Sequence, residues 1–372
     1  RHVSYFCGRR CSPQKTFPMS QGVLHNSKMA TIKDVAKRAG VGLGTASRVI
    51  AGTGPVSDDA VKRVRKAVEE LHFRPSHAAR VLHNGHSQTI GVFVPVIFGS
   101  FYTPVLHAIY SALRAAGCYM VVDFGQTIES ERQDALSGAE FLVNLDCDGL
   151  VVMGARLKPK DIEKLMALQP KTVFLNRSVT NFSDRCFNPD HKAAGAVAAR
   201  TLWEAGHRRF AVLEGPESSA DNVQRLKGFY GELASRGIDV EAIPRVCGDF
   251  SPASGPIGVK ALMATGKKFT ALFCANDESA LGALAYLQQN GVSVPDDLSV
   301  MGYDGIDLSA FTVPPLTTVL IPWRDIATNA LHHLLNLCYG TDYPVKRDCP
   351  PQVLWRSSVR RITSAKPSRR SP

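Results

Sequence analysis

Asn176 and Arg177 follow the apolar run TVFL, Asn276 and Asp277 follow ALFCA, and Asp304 follows VMGY. Amides, carboxylates and a guanidinium suit the capture of hydroxyl groups, because each can donate to or accept from an OH and the charged ones bond more strongly. The placement matters when the runs before them are strands of an open parallel sheet, since ligands lie beyond the carboxyl ends of such strands. Any one of these residues alone reads as a loop-capping side chain; their recurrence at strand ends favours a shared cleft. A second set stands near the start of the chain, where Leu43, Thr45, Ser47 and Arg48 fall on one side of LGTASRVI. Arginine beside hydroxyls on an exposed helix face suits base edges and phosphates of a major groove, with Arg48 the first choice for base readout.

Both sets need scaffolds. From Thr89 the chain alternates strand-like runs (TIGVFVPV, YMVVDF, GLVVM, TVFL) with helical stretches beginning near Phe101, Glu129 and Lys158. A second series, RFAVLEG, TALFCA and LSVMGYD, follows. Alternation predicts parallel sheets covered on both faces, and two series predict two lobes. No short internal repeat is visible.

Between Thr31 and Ile50 two short helical patterns meet at Gly40. Ile32, Val35, Ala36 and Ala39 share one face, Thr31 and Asp34 form a capping pair, and Gly40 supplies the left-handed residue that ends the helix. Val41 plugs the angle, and Ala46, Val49 and Ile50 give the second helix its buried side. Ser57 caps a third helix with Asp58 and Asp59 in its first turn and Val61, Val64, Val68 and Leu71 along one side. Lys62, Arg63, Arg65 and Lys66 are expected on its solvated face. Helices with this spacing suit a helix-turn-helix whose second helix enters the major groove, the alternative being a helical hairpin that merely packs; the third helix favours the first reading. Gly40, Gly42 and Gly44 do not make a nucleotide loop, since the charged helical AKRA stands where a strand is required.

MATIKDVAKRAGV, the TASRV helix and FRPSHAARVL together resemble the lactose/galactose repressor family of bacterial regulators, over Met29 to about Arg361. The resemblance implies a three-helix helix-turn-helix head over 29–74 and a hinge helix and linker over 75–88. It also implies a two-lobed core over 89–361, similar to periplasmic sugar-binding proteins, with lobes of about 89–188 plus 319–345 and 189–318 plus 346–361. It places Thr31, Leu43, Gly44, Thr45, Ser47 and Arg48 at the DNA. Leu82 in HAARVL is the hinge wedge that enters the minor groove, where apolar insertion bends a duplex. It further implies that Asn176, Arg225, Asn276 and Asp304 contact effector hydroxyls, that Phe250 and Trp323 supply an aromatic face, and that Tyr102 and Asp221 assist. The surroundings of NRSV are most similar to the galactose and β-glucoside branch, which implies a small sugar or sugar-phosphate effector; a nucleoside or other polyol is the alternative. Departures from the family pattern are Gly42 at the usual serine cap, Ala46 at a usual valine, Gly44 at a position that often touches bases, FGSFY before the first core helix, and Gly305 where a second Asp often follows Asp304. Glycine inside a helix costs about 1 kcal/mol relative to alanine.

Charge divides the chain. Residues 1–28 carry five Lys or Arg and no acid, 29–90 carry ten against five, and 360–372 carry five against none, leaving 91–359 at −4 within an overall +11. Basic ends on a mildly acidic body suit a DNA-binding head with a sensing core and disfavour a uniformly basic nucleic-acid packer. No run of about 18 apolar residues is present, and the opening 28 residues have no apolar core of a secretory signal, so they are expected to be a disordered extension. The basic tail, 362–372, is expected to be disordered as well. Nine scattered cysteines without a CxxC pair fit a reduced cytoplasm, and the sequons at Asn176 and Asn181 are then incidental. Without leucine heptads in the tail, a homodimer on palindromic double-stranded DNA is expected rather than a tetramer. No membrane partner, metal or cofactor is expected. The alternative of a sugar receptor without a working DNA head would need an export signal and has no use for residues 31–82. An enzyme is disfavoured, as the chain has no HExxH, GxSxG or phosphate loop.

Overall fold

The computed structural model describes residues 30–73, 85–96, 99–126, 130–154 and 156–362. Leu82, most of the 75–88 hinge, the 1–28 extension and the tail after Ile362 lie outside the described residues.

The head is three helices, α1 (Ile32–Ala39), α2 (Leu43–Ala51) and α3 (Asp58–Glu70). Thr31 and Asp34 form the capping box, the Thr31 N–H donating to the Asp34 carboxylate at 2.8 Å. Gly40 ends α1 at φ 64°. Val35, Ala39, Val64 and Ala67 are buried together, with Val41, Val49 and Ile50 packed against them. Burial of each valine is worth about 1.5–3 kcal/mol. Arg63, exposed on the solvated face as expected, also donates from Nη1 to the carbonyls of Ala39 (3.2 Å) and Gly40 (3.4 Å). Helix C-termini leave carbonyls without partners, and a long cation from the adjacent helix satisfies them.

The core contains two sheets. The first orders β2 (Tyr119–Phe124), β1 (Thr89–Val94), β3 (Gly149–Met153), β4 (Thr172–Leu175) and β5 (Cys186–Phe187), all parallel. The second orders β7 (Arg245–Cys247), β6 (Phe210–Glu214), β8 (Ala271–Cys274), β9 (Ser299–Asp304), β10 (Thr317–Leu320) and β11 (Gln352–Leu354), parallel except for the antiparallel pair β10–β11. Apart from β11 the strand order is the same in both lobes, second-first-third-fourth-fifth, an order whose crevice lies beyond the first and third strands. The strands β1, β3, β4 and β8 are buried along their length, as continuous apolar runs in a doubly covered sheet should be.

Helices cover both faces. α4 (Tyr102–Ala115) lies over one side of the first sheet, with α5 (Glu131–Asn144) and α6 (Pro159–Leu168) on the other. α7 (His191–Glu204) and α8 (Ala220–Ser235) cover one side of the second sheet, α9 (Ser254–Ala264) and α10 (Asp277–Gln289) the other. α7 and α8 touch backbone to backbone: a Cβ on Gly195 would stand 1.9 Å from the Arg225 carbonyl, and one on Gly228 1.9 Å from that of Lys192. α11 (Trp323–Tyr339) packs on β3, β4 and β5, whereas β11 belongs to the second sheet. The chain therefore passes between the lobes three times, after β5, β10 and α11. Among the described residues no helix is long and apolar enough to cross a membrane.

Candidate functional site

On the head, Ala46 is buried, while Leu43, Gly44 and Arg48 are exposed and Thr45 and Ser47 half-exposed. One face of α2 is thus free to enter a groove. Arg48 has no ion pair among the described residues, whereas Arg38 is held by Glu70 at 2.6 Å and Arg63 by Asp59 at 3.1 Å. A side chain on Gly42 or Gly44 would meet nothing within 4 Å, so neither glycine is demanded by packing. Thr31 stands at the N-cap of α1, its hydroxyl bonded to Asp34 at 2.7 Å.

In the core a chain of polar contacts runs between the strand ends of the two lobes. Asn176 follows β4 at φ 57°, and its Nδ2 donates to Asp221 on α8 at 3.3 Å. Its Oδ1 lies 2.9 Å from His191 Nε2, and His191 Nδ1 lies 2.9 Å from the Tyr303 hydroxyl. An amide oxygen only accepts, so the network assigns the proton to Nε2 and has Tyr303 donate to Nδ1. Burial, reinforced by Arg225, pushes the His191 pKa down to about 4, which keeps this neutral tautomer.

Arg225 is the hub. It is buried, its Cζ lies 3.6 Å from the Tyr303 ring centroid, and its Nη2 is 3.9 Å from Asp304 and 4.0 Å from Asp221. Nη1 donates to the carbonyl of Ala275, and Nε is buried with no hydrogen-bond partner among the described residues. The two carboxyls differ. Burial raises Asp304 well above the usual carboxylate range despite Arg225. At Asp221 burial acts in the same direction but is outweighed by Arg225, His191 and hydrogen bonds from Ser219 and Asn176, which hold it below that range. Arg225 therefore lies between two carboxyls that are pushed in opposite directions, Asp221 toward ionisation and Asp304 toward its neutral form. Asp304 also sits at φ 113°, a sparsely populated conformation for a residue with a Cβ that tends to mark binding and active sites.

Aromatic rings surround this floor. Trp323 is buried at the start of α11, 5.2 Å edge-on from Phe101 and 6.1 Å from His191, and its Nε1 has no partner among the described residues. Phe250, at φ 69°, lies so close to Gly215 that a Cβ there would stand 2.1 Å from the ring. Tyr102 opens α4, edge-on to Phe101 at 4.9 Å, and burial followed by the field of Glu131, Asp221, Asp304 and Glu278 raises its hydroxyl pKa. The lobes also meet where Ser100 N–H donates to Glu278 and Arg156 donates to Ser218 at 2.9 Å.

Not every polar residue after a strand faces the cleft. Asn276 caps α10, accepting from Ser279 N–H at 3.1 Å, and donates to the Phe250 carbonyl at 2.8 Å, so its amide positions Phe250. Arg177 donates to the Leu157 carbonyl within its own lobe. Asp277 is fully buried and accepts from Gly305 N–H (2.8 Å), Ile306 N–H (2.9 Å) and the Thr318 hydroxyl (2.6 Å). Gly305 has no room for the Asp common in the family: a Cβ would come within 2.8 Å of Leu320 Cα. His191, Tyr303 and Glu278 escaped the sequence reading. Tyr303 is hidden inside an apolar strand, and nothing in NPDHKAAG marks His191 beyond the helix cap Asp190.

Residues 31–76 match the description "Bacterial regulatory proteins, lacI family", and residues 199–359 match "Periplasmic binding protein-like domain". The HTH-type transcriptional regulator AscG of Escherichia coli (strain K12) is 34% identical over 345 residues, covering 92% of this chain and 100% of that protein. The chain belongs to the lacI family. As a lacI-family member it is a DNA-binding transcriptional regulator, and the relatives it matches are regulators rather than enzymes. The lac repressor dimer bound to operator and the anti-inducer ONPF is similar with a TM-score of 0.79 at 27% identity, over 90% of this chain and 100% of that one. A complex of the transcriptional regulator CelR with cellobiose is similar with a TM-score of 0.63 at 26% identity, over 88% and 99%.

Proposed function

We propose that this lacI-family regulator is a homodimeric repressor of carbohydrate-use genes, acting in the bacterial cytoplasm at the nucleoid, whose hold on a palindromic operator is set by a small neutral sugar in the cleft. The observation that carries the effector reading is the buried Arg225 hub between two carboxyls, with its Nε and the nearby Trp323 Nε1 unpartnered among the described residues. Buried donors without partners cost about 1–3 kcal/mol each, and the hydroxyls of a sugar would satisfy them. Asn176, Asp221, Arg225 and Asp304 take the hydroxyls, Phe250, Trp323 and Tyr102 face the apolar side of the ring, and Asn276 positions Phe250. A lac repressor dimer on its operator and a CelR complex with cellobiose support the reading by analogy. Exposed Leu308, Phe311 and Val313 in one short stretch support a second subunit covering them.

Binding to one relative arrangement of the lobes would alter operator affinity by the difference in effector affinity between arrangements. A gel shift of the full chain against DNA flanking its own gene, with sugars and nucleosides added singly, tests this. A specific complex that one sugar changes supports the reading, and a complex that only a nucleoside changes replaces the sugar.

At the DNA, Arg48→Ala is expected to lose about 1–3 kcal/mol of discrimination between operator and altered sites. Equal weakening on random DNA would make Arg48 a phosphate contact instead. Leu82→Ala is expected to weaken operator binding while leaving the far-ultraviolet circular dichroism unchanged, and an unaltered operator affinity would refute the wedge.

A further inference from the structure

Away from the cleft, a cavity of about 340 Å³ lies between the loop after β4, the short strand β5 and the segment that follows α11. Its size is that of a small-molecule site. Ser178, Thr180 and Ser183 bring hydroxyls to it, Lys346 and Arg347 bring positive charge, and among the described residues no carboxylate lines it. Arg347 is a fixed wall: it donates to the carbonyls of Cys186 (3.1 Å), Ser183 and Asp184, and its Cζ lies 4.4 Å from the Phe187 ring centroid. Lys346 is exposed, and its ammonium has no ion pair among the described residues. Asn188, also in the lining, donates to Arg177 O and Ser178 Oγ but leaves a buried Oδ1 without a partner. Hydroxyls and a cation on one side and an unmet acceptor on the other complement a ligand with an anionic head and hydroxyls of its own.

We propose that this hinge-side cavity is a second ligand site for a small hydroxylated anion, a sugar phosphate or a sugar acid, distinct from the interlobe cleft. Its position gives it regulatory reach. Ser178 is two residues from Asn176, Asn188 is three from His191, and Ile326 is three from Trp323 on the same helix. Both the segment after β5 and that after α11 carry the chain between the lobes. An anion here would bias the arrangement that the cleft ligand also selects, so each would change the affinity of the other by the same factor. That cross-talk rests on the cleft reading, but the site itself does not.

The test titrates the full chain calorimetrically with inorganic phosphate, glucose 6-phosphate and gluconate. Iodoacetamide labelling of half-buried Cys349, which lines the cavity, is followed by peptide mass spectrometry, with exposed Cys247 as internal control. Binding of at least one anion is expected, slowing the labelling of Cys349 several-fold and leaving that of Cys247 unchanged. Lys346→Gln, at an exposed position, is expected to weaken that binding about tenfold. Preference for phosphate or for gluconate identifies the head group. Absence of binding by all three at about 10 mM overturns the proposal, as does binding that neither shields Cys349 nor responds to Lys346→Gln; such binding places the anion elsewhere. The sugar-dependent gel shift reads the cleft alone, so failure of one reading is distinguishable from failure of the other.

Discussion

Arg225→Met is expected to abolish the sugar response of operator binding and to lower the stability of the core by about 3–5 kcal/mol, the usual cost of breaking a buried ion pair from one side. Methionine fills a similar volume, so the loss comes from charge. Asp221, which Arg225 helps to hold ionised, would be left half-buried without its cation, whereas burial pushes Asp304 toward the protonated form. Adding Asp221→Asn to Arg225→Met removes the stranded carboxylate and is expected to recover part of the stability while the sugar response stays absent. Urea unfolding reads the first effect and gel shifts with added sugar read the second. A single variant that still responds at the wild-type sugar concentration would remove Arg225 from the effector site.

The exposed face of α2 was legible in the sequence because it depends only on helical spacing, which is local. The cleft was legible in part. The rule that ligands lie beyond strand ends located Asn176 and Asp304, and the structure brings both to Arg225. The same rule pointed equally to Arg177, Asn276 and Asp277, which turn away to hold loops. Sequence gives the position of such a residue but not its backbone angle, and it is φ 57° at Asn176 and φ 113° at Asp304 that accompany the two side chains in the network. Arg225 came from family resemblance alone: an arginine within QRLKGF on a helix looks like a surface residue, and only the tertiary fold sets it against Tyr303, Ala275 and Phe250. The matching strand order of the two lobes was hidden for a related reason. Edge strands such as β5, with two residues, and β7, with three, carry too few side chains to show a pattern.

Asp277 shows how a residue outside the cleft can govern it, and how pH exposes that role. Burial pushes its carboxyl up to about 7, against the hydrogen bonds from Thr318, Ile306 and Gly305 that favour ionisation. The geometry serves the protonated acid equally well, with Oδ2 accepting from the two backbone N–H groups and a proton on Oδ1 donated to Thr318. A carboxyl whose pKa is higher folded than unfolded, where it is about 3.9, stabilises the fold fully below about pH 4. That contribution is lost as pH rises through 7, and a difference of this size corresponds to at most about 4 kcal/mol. Asp277→Asn keeps an acceptor for Gly305 and Ile306 and gains a permanent donor for Thr318. The variant is therefore expected to fold and to lose part of the decline in Tm between pH 4 and 8. It should be more stable than the natural protein at pH 8 and close to it at pH 4. Should the natural protein be the more stable at pH 8, the three donors hold the carboxylate ionised and burial is the lesser effect. Asp277→Ala separates positioning from titration, because it leaves the N–H groups of Gly305 and Ile306 without an acceptor beside Asp304 at every pH. Weakened sugar binding in that variant, with sugar binding kept in Asp277→Asn, would show that the buried acid presents Asp304 to the cleft.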